Sequence, residues 1–263
     1  RGDEAAMTFT NLPLRYVEEH PHFLELFLTR KLCPELGLDA LALDTFSPEW
    51  HKRTARIFHD AGLTCAVHLP FFDLRPGSLD PMILKASRER LLQAVDTAQV
   101  YAPAHFIAHL DYNSVIYSHF KDAWLENSLR TWELVLDQTA EVPLYLENVF
   151  EPSPDHHVRV LRGLEGKAGA CLDVGHWHCF AAGRKRGNLQ EWLAALTPFP
   201  LHLHLHDNDG ESDAHLGLGQ GAIPWDQLWA GLDGREVSAT FEPHTKDAFL
   251  ATRNYLRDHD LKL

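Results

Sequence analysis

The sequence predicts an α/β protein, a single (β/α)8 TIM barrel, and three observations predict it. The chain has 263 residues, close to the ~250 typical of that fold. Short apolar runs alternate with longer amphipathic ones, the pattern of βα units around a parallel sheet. No glycine-rich dinucleotide loop follows an early strand, which disfavours an open doubly wound sheet.

In chain order the expected strands are TFTNL at 8–12, ALAL at 40–43, CAVHL at 65–69 and HFIAHL at 105–110. LYLENV at 144–149, ACLDV at 170–174, LHLHLH at 201–206 and VSATF at 237–241 complete the set. Each is a short, mostly apolar run. Between them lie helical patterns. PMILKASRERLLQAVDTAQVYA at 81–102 has apolar residues at helical spacing and Asp80-Pro81 as its start signal. Residues 120–140, 188–197 and 246–258 read the same way. Residues 1–6 read as a remnant before a natural start at Met7, or as disordered. Residues 7–263 read as one catalytic barrel domain.

Apolar residues make up 45% and charged residues 23%, an ordinary globular composition. No signal-peptide pattern is visible, and no apolar run reaches the ~18 residues of a membrane span. Cys33, Cys65, Cys171 and Cys179 form no CxxC pair. They read as reduced thiols of a cytoplasmic protein. The net charge of −13 argues against nucleic acid as a partner. A small-molecule substrate is expected and no membrane partner; nothing in the sequence sets an oligomeric state.

The compositional anomaly is histidine, at 18 residues. LHLHLHDNDGESDAHLGLGQG, residues 201–221, concentrates it. Alternate residues of a strand face opposite ways. Leucines 201, 203 and 205 then share one face, and His202, His204 and His206 the other. The same parity puts His68, His109, Glu147, Asp173 with His176, and Glu242 at or near strand carboxyl ends, where barrel active sites sit. The following loop adds Asp213 and His215. Taken singly, most of these would be hydrogen-bonded rim residues or helix caps. Together they would stand unpaired unless cations bound them. Zn²⁺ is the expected ion, with Mn²⁺, Fe²⁺ or Co²⁺ as alternatives. His202 and Cys171 read as deeper core and His206 as orienting a loop or substrate. His156, His157 and His178 read as surface or rim residues.

The phrases HLP, LEN, CLDVGH, HLHDNDG, DAHLGLGQG and FEP resemble the xylose isomerase-like barrel superfamily, also known as AP endonuclease family 2. It joins sugar isomerases and epimerases with endonuclease IV-type phosphodiesterases. The resemblance covers nearly the whole chain from Met7. For the sugar epimerases it implies one ion on Glu147, Asp173, His204 and Glu242. For the endonuclease IV group it implies two or three: His68, His109 and Glu147 on one, the four epimerase-type ligands on a second, and His176, Asp213 and His215 on a third. Two departures weigh against DNA. His109-Leu110-Asp111 stands where the repair enzymes have His-Pro-Gly, and LENVFEPS where they have Glu-Asn-Thr-Ala-Gly. VHLPFFDLRPGSLDP and ELFL are similar to the cobamide-remodelling phosphodiesterases, which cut the nucleotide loop of corrinoids.

The expected function is therefore a divalent-metal-dependent phosphodiesterase acting on a small phosphate-bearing substrate, a cobamide nucleotide loop being the specific form. Glu147 and Glu242 are its expected catalytic carboxylates. Arg75, His206, Arg184 and Arg186 are expected to contact substrate, the arginines through phosphate. The competing enzyme is a ketose isomerase or epimerase, in which the two glutamates flank the carbon that loses its proton. A non-catalytic metal sensor is the third reading, and the complete ligand set argues against it.

Overall fold

Eight parallel strands pair in sequence order, and the last closes on the first, in the computed structural model, which describes residues 7–232, 235 and 237–261. The expectation for residues 1–6 lies outside the described residues. β1 (Thr8–Pro13) leads into α1 (Tyr16–Glu19) and α2 (Pro21–Arg30); β2 (Pro34–Gly37) leads into α3 (Ala40–Thr45) and α4 (Pro48–Asp60). β3 (Ala66–His68) precedes α5 (Pro81–Ala98), and β4 (Phe106–His109) precedes α6 (Ser114–Tyr117) and α7 (Lys121–Thr139). β5 (Leu144–Glu147) precedes α8 (Asp155–Gly163), and β6 (Gly169–Asp173) runs directly into α9 (Val174–Cys179), α10 (Gly183–Arg186) and α11 (Leu189–Leu196). β7 (Leu201–Leu205) is followed by the histidine-bearing loop and α12 (Trp225–Gly231), and β8 (Ser238–Phe241) by α13 (Lys246–Asp258). Among the described residues, no helix is long and apolar enough to cross a membrane.

Seven of the eight expected strands stand where the sequence put them, within a residue or two at each end. The second does not. Residues 40–43 belong to α3, whose start is capped by Asp39, its carboxylate accepting from the Ala42 amide at 2.8 Å. The strand is PELG, six residues earlier, paired with β1 and β3. Proline, glutamate and glycine are poor strand formers, so the segment carries no local signal. Only the barrel's need for a partner between β1 and β3 makes it a strand.

The helices begin where their caps dictate. The Asp80 carboxylate accepts from the Met82 and Ile83 amides at 2.8 and 3.3 Å, fixing the start of α5. Two layers bury apolar surface. Outside the sheet, strand leucines such as Leu201, Leu203 and Leu205 pack with Trp124, Trp132 and Trp192 under the helices. Inside, rings fill the barrel floor: Phe9 meets His105 edge-on at 4.9 Å, and His105 lies 4.5 Å from His202. His202 is held between the hydroxyls of Ser238 and Thr240 at 2.7 and 2.9 Å. Cys171 is fully buried in this interior.

Candidate metal centre

The parity read from the strands brings all nine expected ligands to one cluster at the carboxyl mouth. Glu147 is its centre. Its Oε2 lies 3.0 Å from His68 Nε2, 3.5 Å from His109 Nε2 and 3.5 Å from His204 Nδ1. Its Oε1 lies 3.1 Å from His176 Nδ1. His204 Nδ1 is also 3.3 Å from Glu242 and 3.9 Å from Asp173. Asp213 Oδ2 sits 3.5 Å from His176 Nε2 and 3.2 Å from His215 Nε2. The three groups implied by the resemblance adjoin one another: the first two share Glu147, and His176 of the third lies 3.1 Å from Glu147 and 3.5 Å from Asp173.

The imidazoles are aimed by backbone carbonyls. His68, His176 and His215 each place Nδ1 within 3.0 Å of a carbonyl oxygen, those of Leu69, Asn148 and Glu242. A proton donated there turns Nε2 into the free lone pair facing the carboxylates. Local sequence explains the rest. Asn148 of LEN accepts from the Asp173 amide at 2.9 Å and donates to its carbonyl at 3.0 Å, clamping β5 to β6. Asp173 caps α9, accepting from the His176 amide at 2.6 Å, so one carboxylate both starts the helix and faces the site.

Asp207 and Asn208 of the HDND run answer a structural need instead. Asp207 accepts from the amides of Gly219 and Ile223 and from the Trp225 indole, tying down the GLGQG loop. Asn208 accepts from the Gly210 amide and donates to the Gly175 carbonyl.

His206 belongs with the cluster. Its Nε2 lies 3.3 Å from Asp173 and 3.6 Å from Asp213, and its ring stacks on His215 at 3.8 Å. Gly175 makes room for it: a Cβ there would overlap the His206 ring. Gly175→Ala is therefore expected to displace His206 and destabilise the fold by about 1–3 kcal/mol. Thermal unfolding compared with wild type checks it; an unchanged Tm would refute this packing role.

The arginines are engaged within the protein. Arg75 pairs with Asp111, Arg184 donates to the Asp209 carbonyl and Arg186 to that of Pro152. Burial raises the Asp111 carboxyl to about 6 despite Arg75. His156, His157 and His178 are not surface residues. His156 stacks on Tyr112 at 3.6 Å, His157 is a fully buried residue of α8, and His178 lies 2.7 Å from Asn208 Oδ1. Their amphipathic rings complete buried helix faces, which a count of polar residues hides.

Sequence reasoning missed Glu35. It is buried on β2, with Oε1 3.1 Å from His204 Nε2 and Oε2 3.6 and 3.7 Å from His105 and His202. It therefore steadies the His204 ring from below while Nδ1 faces the cluster. Glu35→Gln is expected to weaken divalent-ion affinity by about 10- to 100-fold while the fold persists. Chelator competition measures it, and wild-type affinity would refute the role.

The electrostatics are those of a site built around cations. Burial would raise the Glu147 carboxyl, but the field of the surrounding imidazoles, His204 and His109 foremost, holds it well below the carboxylate range. Burial opposes charge on His215, yet hydrogen bonding to Asp213 and the field of Glu242 raise it to about 9. His109, with burial dominant, falls to about 3.

A closed barrel with acids and imidazoles gathered at its carboxyl mouth defines the class: a (β/α)8 barrel of the kind that carries its chemistry at the strand ends. The chain belongs to the xylose isomerase-like TIM barrel family, whose description matches residues 30–259. No curated protein matches it. Among solved structures it is similar to a D-tagatose 3-epimerase-like protein, with 20% identity, TM-score 0.78 and 96% of each chain covered. It is similar to the TTHB071 protein from Thermus thermophilus, soaked with ZnCl2, with 24% identity, TM-score 0.76 and coverage of 95% and 96%. Endonuclease IV from the same organism aligns at 17% identity, TM-score 0.67 and coverage of 96% and 99%. At these identities the likeness is one of fold.

Proposed function

We propose that this chain is a divalent-metal-dependent phosphodiesterase acting on a small phosphate-bearing substrate, with the nucleotide loop of a corrinoid as its specific form. The observation that carries the reading is the full nine-residue cluster, which offers more ligands than one ion takes. The residues fit such ions. Both ring nitrogens of His204 and His206, Asp173 Oδ2 and Asp213 Oδ1 are buried without a hydrogen-bond partner among the described residues. Orphaned donors and acceptors at this density call for a bound group. Zinc suits the mixed imidazole and carboxylate set. A reducing, cytoplasmic setting accords with the four free cysteines.

Bound ions would supply Lewis acidity toward phosphoryl oxygens. His68, His109 and Glu147 would hold one, Glu147, Asp173, His204 and Glu242 a second, and His176, Asp213 and His215 a third. Glu147 belongs to two of these sets and would be a ligand in both. Burial, followed by the charge of Asp173, raises the Glu242 carboxyl against the pull of His204. As a ligand of the second ion, Glu242 would instead be held ionised.

The mouth also fits a bulky apolar substrate body. Phe71 stacks on His109 at 4.2 Å and Phe180 lies 5.4 Å from His176. Phe72 lies 4.5 Å from Phe71 and Phe150 5.1 Å from Phe180, and Val115 and Phe120 are exposed after β4. An arc this apolar, on a chain of net charge −13, suits a large organic ligand better than a DNA backbone.

A second reading has its own support. Glu147, Asp173 and Glu242 all lie within 3.9 Å of His204 Nδ1, the one-ion arrangement of an epimerase. One experiment separates the two. The protein is offered corrinoids with an intact nucleotide loop, an abasic DNA duplex and a panel of ketoses, and its metal is counted by elemental analysis. Expected are nucleotide-loop cleavage, an intact duplex at physiological salt and more than one ion per chain. Ketose interconversion with a single ion would replace this reading with the epimerase.

A further inference from the structure

We infer a second ligand site in this chain, a cavity between α2 and α13 that takes an anionic amphiphile: an apolar body with a single carboxylate or phosphate head. The cavity measures about 550 Å³, within the range of small-molecule pockets, roughly 300–1,000 Å³. Interiors close-packed by folding leave few voids larger than a water molecule. α5 and α7, by contrast, pack directly against each other. α2 and α13 instead each present a stripe to the cavity.

The stripes follow from helical spacing. On α2, Phe23, Leu26 and Phe27 stand at i, i+3 and i+4; on α13, Phe249 and Leu250 hold the corresponding positions. Leu250 is 42% exposed and Phe23 and Phe249 are half-buried, so an apolar face of each helix lacks a full partner. The ends of the stripes are cationic. Arg30 closes the α2 face, and Lys246 and Arg253 lie one turn to either side of the α13 pair. None of these three forms an ion pair among the described residues. The chain carries 37 acidic residues, yet no carboxylate lines the cavity. Apolar walls rimmed by cations alone, on an acidic protein, complement a ligand that is apolar and negatively charged.

The cavity also communicates with the mouth. Its near wall is Pro243–Thr245, and His244 within it stacks on His215 at 3.7 Å with an 8° tilt, which in turn stacks on His206. Occupancy is thus felt one ring away from the metal cluster. The inference does not rest on the phosphodiesterase reading, since it concerns binding outside the cluster.

The test is calorimetric titration of the full, metal-loaded chain with decanoate, decyl phosphate and decanol. Both anions are expected to bind, and decanol about tenfold more weakly, the scale of one charge-assisted hydrogen bond. Replacing Arg30, Lys246 and Arg253 together by glutamate should weaken decanoate about tenfold and leave decanol unchanged. Leu250→Trp, at an exposed position that preserves the fold, and Leu26→Trp should fill the cavity and abolish binding. Phe72→Ser, on the aromatic arc of the mouth, should leave decanoate binding to the cavity unchanged. Equal affinity for decanoate and decanol, binding that survives both tryptophans, sensitivity to Phe72→Ser, or no binding of either anion would each overturn the site. Metal content stays at its wild-type value in every variant, so a failure here is distinguishable from a failure of the metal centre.

Discussion

Glu147→Gln is expected to lower kcat by about 10³-fold and to strip at least one ion from the protein, because its two oxygens are the meeting point of four histidines. An amide of the same shape keeps the packing and removes the charge. Loss of one well-placed electrostatic contact costs about 10²–10³ in kcat, and a residue shared between two ion sites belongs at the upper end.

The same substitution has a pH signature in metal-free protein. Burial opposes charge on His68 and His176, but carboxylates outweigh it in both: chiefly Glu147 for His68, and Asp173 with Asp213 and Glu147 for His176, which raise them above the ordinary value of 6.5. Raised imidazoles stabilise the fold below pH 6.5 and lose that contribution as pH rises through their folded values. The Glu147 carboxyl is depressed, so its contribution is present above the ordinary value of 4.5 and fades as pH falls through its folded value. The stability gap between wild type and Glu147→Gln should therefore be widest between pH 4.5 and 6.5, at about 3–5 kcal/mol for a broken buried pair. Chemical denaturation of both proteins across that range, with elemental analysis alongside, measures it. A variant that keeps its metal and its rate would remove Glu147 from the centre of the mechanism.

His109→Ala is expected to separate the two enzyme readings. Among the carboxylates of the described residues His109 touches only Glu147, on the side facing His68. In a phosphodiesterase, its loss removes a ligand of one ion and lowers kcat by ~10²-fold or more, not merely raising KM. One metal equivalent should leave with it. In an epimerase the ion held by Glu147, Asp173, His204 and Glu242 is untouched, and the variant should retain kcat while binding sugar less well. Full metal content and an unchanged kcat on a ketose would therefore exclude the phosphodiesterase. Loss of corrinoid cleavage together with one ion would establish the His68–His109–Glu147 set as part of the machinery.

The sequence alone determined the closed barrel, through its length and its alternation of short apolar and longer amphipathic runs, and strand parity with the loop after β7 marked the nine cluster residues. His204 lies between two leucines that face the helices, so its direction is fixed by hydrophobicity, and His68 and His109 likewise stand between apolar residues, Val67 and Leu69, and Ala108 and Leu110. Strand ends then gather at one mouth by topology. The tertiary structure decided whatever local pattern could not carry. PELG becomes β2 only because the neighbouring strands need a partner, and with it Glu35 arrives beneath His204. Asp207 and Asp213 look alike in HDNDGESDAH, yet one binds loop amides and the other faces imidazoles, a difference set by where the GLGQG loop folds back. The cavity between α2 and α13 joins helices more than two hundred residues apart in the chain. Proximity of that kind exists only after the barrel has closed, since β1 and β8 meet only when the sheet completes its circle.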